Sequence, residues 1–205
     1  MQNILYLAST SQSRQMLLKE ALIPFTVIGH NADEDSVDKA LPFKELILTI
    51  ACLKMEHANL PVGKDGQEIF VLSADSMGYD AQGIVHGKPK NREDALHKIR
   101  AVSGNLSTTA TAFCLDKKYW EKNQWVLIER KKCVVESRYR FVVPEKWIDR
   151  YLEHSWAMIA SGAIAVELYG AQFLECVDGS YSTIVGLPLY ELRENLEALG
   201  FFTSI

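Results

Sequence analysis

Three charged side chains of this sequence stand at positions where a charge needs a partner, which makes them candidates for chemistry. Asp75 follows the apolar run 69–72, which we interpret as a buried strand that emerges at its carboxyl end. A carboxylate at such a place is costly unless it is paired or bound to a metal. Lys54 shares the apolar face of a predicted helix with Ile50 and Ala51. Glu34, in an acidic loop, could supply an oxygen ligand for Mg²⁺ or Mn²⁺.

Each of these three side chains also has a purely structural interpretation, which the sequence leaves open. The carboxylate of Asp75 could cap the end of a strand, and the amine of Lys54 could reach water from the edge of the apolar stripe. The acidic loop around Glu34 could be a solvated turn.

Two further segments have the composition of phosphate-binding loops. The segment 9–14, Ser-Thr-Ser-Gln-Ser-Arg, separates a predicted strand from a predicted helix, so that hydroxyls, free N–H groups and a guanidinium meet at a helix N-terminus. The segment 87–90, Gly-Lys-Pro-Lys, places two ammonium groups beside a rigid proline shortly before another helix. The alternatives are an N-capping loop with a solvated arginine and a turn with surface lysines.

Carboxylates, an arginine and several lysines at loops and element ends are together typical of metal-assisted phosphate chemistry. The sequence offers no plausible Ser-His-Asp or Cys-His set. Its cysteines are widely spaced and lack metal-binding spacing, so we expect core thiols. They are Cys52, Cys114, Cys133 and Cys176.

Composition places the chain among ordinary globular proteins. It has 205 residues, of which 48% are hydrophobic and 23% charged. We therefore expect one folded domain over residues 1–205. A formal net charge of -4 argues against broad nucleic-acid binding. The apolar stretch at the start is too short to span a membrane, so it is interpreted as a first strand and a cytoplasmic location is expected.

Helical and strand patterns mix along the chain without strict alternation. One helix is predicted over 43–58, and another from its N-cap Asn91 to 103–104. Two more are predicted, one that begins at 144 and one at the end of the chain. Strands are predicted at 4–8, 24–28, 69–72, 108–115, 125–129, 133–143 and 173–177. The order favours an α/β fold with a mixed twisted sheet and flanking helices, for which a central cleft between two lobes would be a natural site.

Short motifs in a fixed order give the chain its resemblance to a known family. Seven elements resemble the motifs of the Maf family. They are LASTSQSR at 7–14, ADE at 32–34, Lys54, SAD at 73–75, GKP at 87–89, SGN at 103–105 and GSYSTIVGLPL at 179–189. This family, also called septum formation inhibitors, comprises nucleoside triphosphate pyrophosphatases. Each motif is weak alone, but seven in order are specific and span nearly the whole chain.

The resemblance implies an enzyme that hydrolyses a nucleoside triphosphate to the monophosphate and pyrophosphate. It implies that Asp75 is the catalytic proton acceptor, with Glu34 and Lys54 beside it. The implied cofactor is Mg²⁺, Mn²⁺ or Co²⁺, held by Glu34 and Asp75, and the sequence leaves open how these two carboxylates divide the roles of base and metal ligand. The residues implied to bind the substrate are Ser9, Ser11, Arg14, Lys88 and Lys90.

Three positions resemble the specificity sites of the family, namely Ser13, Ser76 and Glu167. A carboxylate can accept two hydrogen bonds from a guanine, and a pyrimidine cannot offer that pair. Glu167 therefore favours the branch that acts on 7-methyl-GTP. The alternatives are a UTP, dTTP or CTP pyrophosphatase, an inosine-type triphosphate pyrophosphatase, and a non-catalytic nucleotide-binding regulator of cell division. We expect a nucleoside triphosphate as partner, no nucleic acid and no membrane, and homodimerisation stays open.

Overall fold

The computed structural model describes residues 3–202 and shows a mixed α/β fold. Its strands are Leu5–Leu7 (β1), Phe25–Val27 (β2), Glu68–Asp80 (β3), Val85–His86 (β4), Leu106–Glu121 (β5), Gln124–Phe141 (β6) and Leu174–Asp178 (β7). Its α-helices are Gln12–Glu20 (α1), Phe43–Glu56 (α2), Arg92–Val102 (α3), Ile148–His154 (α4), Tyr181–Val185 (α5) and Leu189–Ala198 (α6). None of the helices within residues 3–202 has the length and hydrophobicity of a membrane span.

The strands form one sheet of mixed direction, in the order β2-β1-β3-β5-β6-β7, with β4 paired to β3. β1 runs parallel to both β2 and β3, so that Leu5 lies opposite Phe25 on one side and Phe70 on the other. β4 and β7 add antiparallel pairs. A two-residue turn joins β5 to β6, and Lys122 and Asn123 both have positive φ there, as a type I′ hairpin turn requires. The predicted mixed sheet with flanking helices is confirmed.

The chain divides into two compact units, each assembled from separate stretches of sequence. The first unit comprises Met1–Asp75, Thr111–Val134 and Gly186–Ile205. The central strand β1 is fully buried at Leu5 and Leu7, and α2 buries Ile47, Ile50 and Ala51. Parallel strands with covered faces require such continuous apolar residues.

The second unit comprises Ser76–Ala110 and Val135–Val185. An aromatic group made of Phe141, Tyr151 and Phe173 lies at its core, with edge-to-face ring contacts at 5.5–6.2 Å. The buried hydroxyl of Tyr151 donates to Ala163 O at 2.8 Å and accepts from Ala165 N at 2.7 Å. These bonds fix the loop 161–170.

Two predictions about strands were wrong. Asp75 does not mark the end of a strand, because β3 continues to Asp80. The predicted strands 125–129 and 133–143 are a single strand, β6, since the basic residues between them contain no glycine or proline to interrupt pairing. The helix α3 agrees with its prediction, and the side chain of Asn91 caps it by accepting from Asp94 N at 2.9 Å. A single domain over 1–205 and a central cleft stay predictions, and residues 1–2 and 203–205 lie outside the described chain.

Candidate active site

The loop between β1 and α1 places hydroxyl groups and a guanidinium at a helix N-terminus. Ser11 is the N-cap of α1, and its hydroxyl accepts from Arg14 N at 3.4 Å. Ser9 Oγ accepts from Ser11 N and from Arg14 Nη1, both at 3.2 Å. Arg14 is only 8% exposed and donates from Nε to Gly186 O at 2.9 Å. The arginine is therefore held inside the first unit, and the alternative of a solvated arginine is wrong.

Lys54 projects from the buried face of α2, as its spacing predicted, and its ammonium is not at the surface. The residue is 6% exposed. Its Nζ lies 2.7 Å from Asp75 Oδ1 and 3.0 Å from Glu34 Oε2. A second contact aligns the same helix with β3, because Ser73 Oγ donates to Ala51 O at 2.7 Å. The ammonium therefore bridges two carboxylates, and the snorkelling interpretation does not hold.

Asp75 is the buried carboxylate of a charged cluster that comprises Arg14, Glu34, Lys54 and Asp75. Its exposed fraction is 8%. One of its oxygens is occupied by Lys54, whereas Oδ2 is buried and has no hydrogen-bond partner among residues 3–202. A buried carboxylate oxygen without a partner is costly, and its lone pairs suit a water molecule or a cation.

Glu34 reaches the cluster from a short 3₁₀ turn, Glu34–Ser36, which the side chain of Asp33 caps. Lys39 Nζ donates to the backbone oxygen of Glu34 at 2.7 Å and holds this turn. The side chain of Glu34 is 44% exposed, and His30 Nε2 lies 4.0 Å from its Oε1. The acidic segment is thus more than a solvated loop, because one glutamate oxygen binds Lys54.

The charges of the cluster balance, with Arg14 and Lys54 set against Glu34 and Asp75. Burial lowers the pKa of the Arg14 guanidinium, and the charges of Asp75 and Glu34 oppose that shift. Burial and then the positive charge of Lys54 lower the pKa of His30, so its ring is neutral at pH 7. A ligand with several negative charges would require positive charge in addition to that of this balanced site.

Among residues 3–202, no group of three or more His, Cys, Asp and Glu side chains is arranged to hold a metal ion. Two carboxylates nevertheless converge on Lys54, and each keeps one oxygen that Lys54 does not bind. Mg²⁺ is commonly bound by one or two carboxylates together with waters and substrate phosphates, without a full protein cage. The donor set of Glu34 and Asp75 Oδ2 fits such an ion.

Other predicted site residues, Ser76, Lys88, Lys90 and Glu167, belong to the second unit. Lys88 and Lys90 are exposed in the turn between β4 and α3. Helix α3 holds this turn: Lys98 Nζ donates to Lys88 O at 3.1 Å and to Asp94 Oδ2 at 2.7 Å. Lys90 N donates to the same Asp94 oxygen at 2.9 Å. The two ammonium groups are therefore presented on a fixed backbone.

The predicted specificity residues differ in their surroundings. Glu167 is only 5% exposed and has an interaction partner within the chain. It directly precedes the 3₁₀ turn Leu168–Phe173, and its role in reading the base stays a prediction. Ser13 and Ser76 are half-buried, and each also has an interaction within the chain.

Three contributors to the cluster were missed from the sequence. Gly186 supplies the carbonyl that holds Arg14, although it stands in a motif that was noticed for other reasons. Ser73 aligns α2 with β3, and His30 approaches Glu34. Gly186 and Ser73 act on residues far away in the chain, and His30 approaches Glu34, four residues later, through the conformation of the loop.

A model of the family described as Maf-like protein matches residues 4–199. A protein from Fusobacterium nucleatum named dTTP/UTP pyrophosphatase is 34% identical over 97% of this chain and 97% of its own length. A protein of that name from Caldicellulosiruptor bescii is 30% identical over 96% of this chain and 95% of its own length. A nucleoside triphosphate pyrophosphatase from Prochlorococcus marinus is 30% identical over 94% of this chain and 98% of its own length.

Among solved structures, a HAM1 protein from Coxiella burnetii aligns with 97% of this chain and 98% of its own length, at 12% identity and a TM-score of 0.43.

Proposed function

Because the chain belongs to the family of Maf-like proteins, we propose that it hydrolyses a nucleoside triphosphate to a nucleoside monophosphate and pyrophosphate. The observation that carries this proposal is the buried carboxylate of Asp75, which Lys54 holds by one oxygen while the other has no partner among residues 3–202. Relatives that span nearly the whole chain bear the names of such pyrophosphatases.

In the proposed mechanism, Asp75 Oδ2 accepts a proton from a water molecule as the water attacks the α-phosphorus. A bond forms between the water oxygen and this phosphorus, and the bond from the phosphorus to the oxygen that bridges to the β-phosphate breaks. Pyrophosphate leaves with that oxygen. The Lys54 ammonium, 2.7 Å from Asp75 Oδ1, orients the base and adds positive charge near the phosphates.

The phosphates are proposed to bind at the N-terminus of α1, where Ser9, Ser11 and Arg14 lie together. N–H groups at a helix start and a buried guanidinium favour anions there. Lys88 and Lys90, on the turn held by α3, are proposed to supply the additional positive charge.

A divalent cation, Mg²⁺, Mn²⁺ or Co²⁺, is proposed to be held by Glu34 and Asp75. When bound, it would neutralise phosphate charge and so favour both the attack of water and the departure of pyrophosphate. This assignment is supported by two oxygens that Lys54 does not bind, Glu34 Oε1 and Asp75 Oδ2.

For the base, we propose a pyrimidine, with UTP and dTTP as the main substrates. Two relatives at 30–34% identity are named dTTP/UTP pyrophosphatases. The preference for 7-methyl-GTP that the sequence suggested relied on two hydrogen bonds from a guanine to the carboxylate of Glu167. Because Glu167 also has an interaction within the chain, a guanine is not the only partner available to it.

The test is an assay of pyrophosphate release with Mg²⁺, Mn²⁺ or Co²⁺ over UTP, dTTP, CTP, GTP and 7-methyl-GTP. We expect pyrophosphate and monophosphate in equal amounts, with the highest kcat/KM for UTP or dTTP. Orthophosphate as the sole product, or no product with any ion, would refute the proposed activity. A higher kcat/KM for 7-methyl-GTP would refute the pyrimidine assignment alone and return the base-reading role to Glu167.

A further inference from the structure

Two cysteines, predicted only as core thiols, meet in the first unit. Cys52 lies on α2 and Cys114 on β5. Cys114 is fully buried in a hydrophobic cluster with Met55, Ile69 and Val71, and Cys52 packs against that cluster. The two thiols form a hydrogen bond with each other. The packing of α2 on the sheet brings them together, although their spacing in the sequence does not predict a pair.

The two thiols have opposite surroundings. Cys52 is half-buried, and the hydrogen bond from Cys114, followed by the charges of Lys132 and Arg130, lowers the pKa of Cys52 to about 7. The same hydrogen bond, burial and the charge of Asp116 raise the pKa of Cys114. Asp116 Oδ1 lies 3.8 Å from Cys114 Sγ as a second acceptor for its hydrogen. In such a pair, the more accessible Cys52 can act as the nucleophilic thiol and Cys114 as the resolving thiol.

We propose that Cys52 and Cys114 form a peroxide-sensitive pair that closes to a disulfide between α2 and β5. The Cys52 sulfur attacks one oxygen of hydrogen peroxide, the O–O bond breaks, and the leaving hydroxide takes up a proton to become water. Cys52 is then a sulfenic acid. The Cys114 sulfur, losing its proton, attacks the Cys52 sulfur, and the S–O bond breaks to release a second water. Two thiols are oxidised, and the peroxide is reduced to water.

Closure of this disulfide would disturb the candidate active site, a consequence that rests on the proposed function. A disulfide bond is ~2.05 Å long, so the two sulfurs must come closer than in their hydrogen bond, and the side chains of Cys52 and Cys114 or the backbones of α2 and β5 must shift. Lys54 stands two residues after Cys52, and its Nζ lies 2.7 Å from Asp75 Oδ1. Small displacements of positioned catalytic groups are costly. We therefore expect the disulfide to lower turnover by about tenfold or more.

The test combines peroxide treatment of the full chain with intact mass measurement and mapping of cross-linked peptides. The wild-type protein is expected to lose two hydrogen atoms in a bond that joins Cys52 to Cys114, and dithiothreitol should reverse the change. Cys52→Ser and Cys114→Ala should each prevent this bond, whereas the control Cys176→Ser, at an exposed position, should retain it. Failure of the bond to form in folded wild-type protein, or its mapping to Cys133 or Cys176, would overturn the proposal.

Turnover in the same samples tests the coupling to Lys54. Oxidised wild-type protein should hydrolyse the nucleotide about tenfold more slowly than reduced protein, and oxidised Cys52→Ser should not slow down. A complete disulfide with unchanged turnover would overturn the coupling. If reduced protein hydrolyses no nucleotide, the proposed function fails, and the mass measurement decides on the thiol pair by itself.

Discussion

Lys54 shows how a single residue can link stability to chemistry. Its ammonium is buried between Glu34 and Asp75, with Nζ–O distances of 3.0 and 2.7 Å. Removing one member of a buried charge group leaves the others uncompensated, which is far more costly than never burying them. The contribution of the lysine should therefore depend on the presence of its partners.

We expect Lys54→Met to lower the free energy of unfolding by ~3 kcal/mol, because Asp75 is left buried without its cation. The double variant Lys54→Met with Asp75→Asn should recover part of that loss, because no buried charge then remains unpaired at this contact. Urea denaturation of the wild type, both single variants and the double variant checks this. Strictly additive losses would show that the two side chains do not stabilise one another.

Asp75→Asn should lower turnover by a factor of ~10²–10⁴, because an amide cannot take the proton of the attacking water. Binding of a non-hydrolysable nucleotide analogue, measured by calorimetry, should persist. Asp65→Asn, at an exposed position of the first unit, is the matched control and should turn over normally. Asp75→Asn activity within a few-fold of wild type would exclude Asp75 as the base.

Several individual residues of the candidate site were predicted from the sequence. The spacing of Lys54 on an apolar stripe, and the carboxylate after an apolar run, correctly marked two side chains that the structure brings into contact. His30 and Ser73 could not be found in this way, since nothing in their local pattern distinguishes them from ordinary polar residues. The interaction of Glu167 within the chain could not be predicted either, because the packing of a loop residue is not encoded in its spacing.

Among the elements, α3 has a role that its amphipathic pattern did not suggest. Its first turns fix the backbone of the segment 87–90 through Asp94 and Lys98. The helix therefore acts as a support for two lysines that are themselves exposed and would otherwise be held weakly.

We expect Lys98→Met to raise the KM for the nucleotide several-fold with little change in kcat, because the Lys88 ammonium loses its fixed backbone but remains present. Lys98→Arg should restore much of the affinity. The control is Lys64→Met, at an exposed position of the first unit, which should leave both constants unchanged. A fall in kcat with unchanged KM would contradict a role in presenting the phosphate-binding turn.

Element types were predictable where local chemistry decides them, as at Asn91, whose side chain caps α3. Strand lengths were not predictable. β3 passes through Asp75 because Lys54, far away in sequence, neutralises the charge that would otherwise end a buried strand. β6 continues through a run of basic residues because Arg130 pairs with the fully buried Asp116 at 2.6 Å.

For the whole molecule, composition and periodicity were enough to predict a mixed α/β fold but not the strand order. That order places β1 between β2 and β3, and it depends on pairing between segments far apart in the chain. The assignment of residues to two compact units was likewise beyond the sequence, since each unit is assembled from separate stretches.

Binding of metal and nucleotide should stabilise the protein as a whole. A non-hydrolysable UTP analogue and Mn²⁺, each at about a hundred times its Kd, should each add ~2.7 kcal/mol to the free energy of unfolding, about 5 kcal/mol together, and raise the Tm. Glu34→Gln should lose the part of this increase that depends on Mn²⁺ and keep the part caused by the nucleotide alone. Equal metal-dependent increases in both proteins would exclude Glu34 as a metal ligand.

The proposed mechanism requires that water attacks the α-phosphorus beside Asp75. The decisive measurement is hydrolysis of UTP in water enriched in heavy oxygen, followed by mass analysis of both products. We predict one heavy oxygen in each UMP molecule and none in the pyrophosphate. Heavy oxygen in the pyrophosphate, or labelled orthophosphate in its place, would mean that water attacks the β- or γ-phosphorus and would contradict the proposed mechanism.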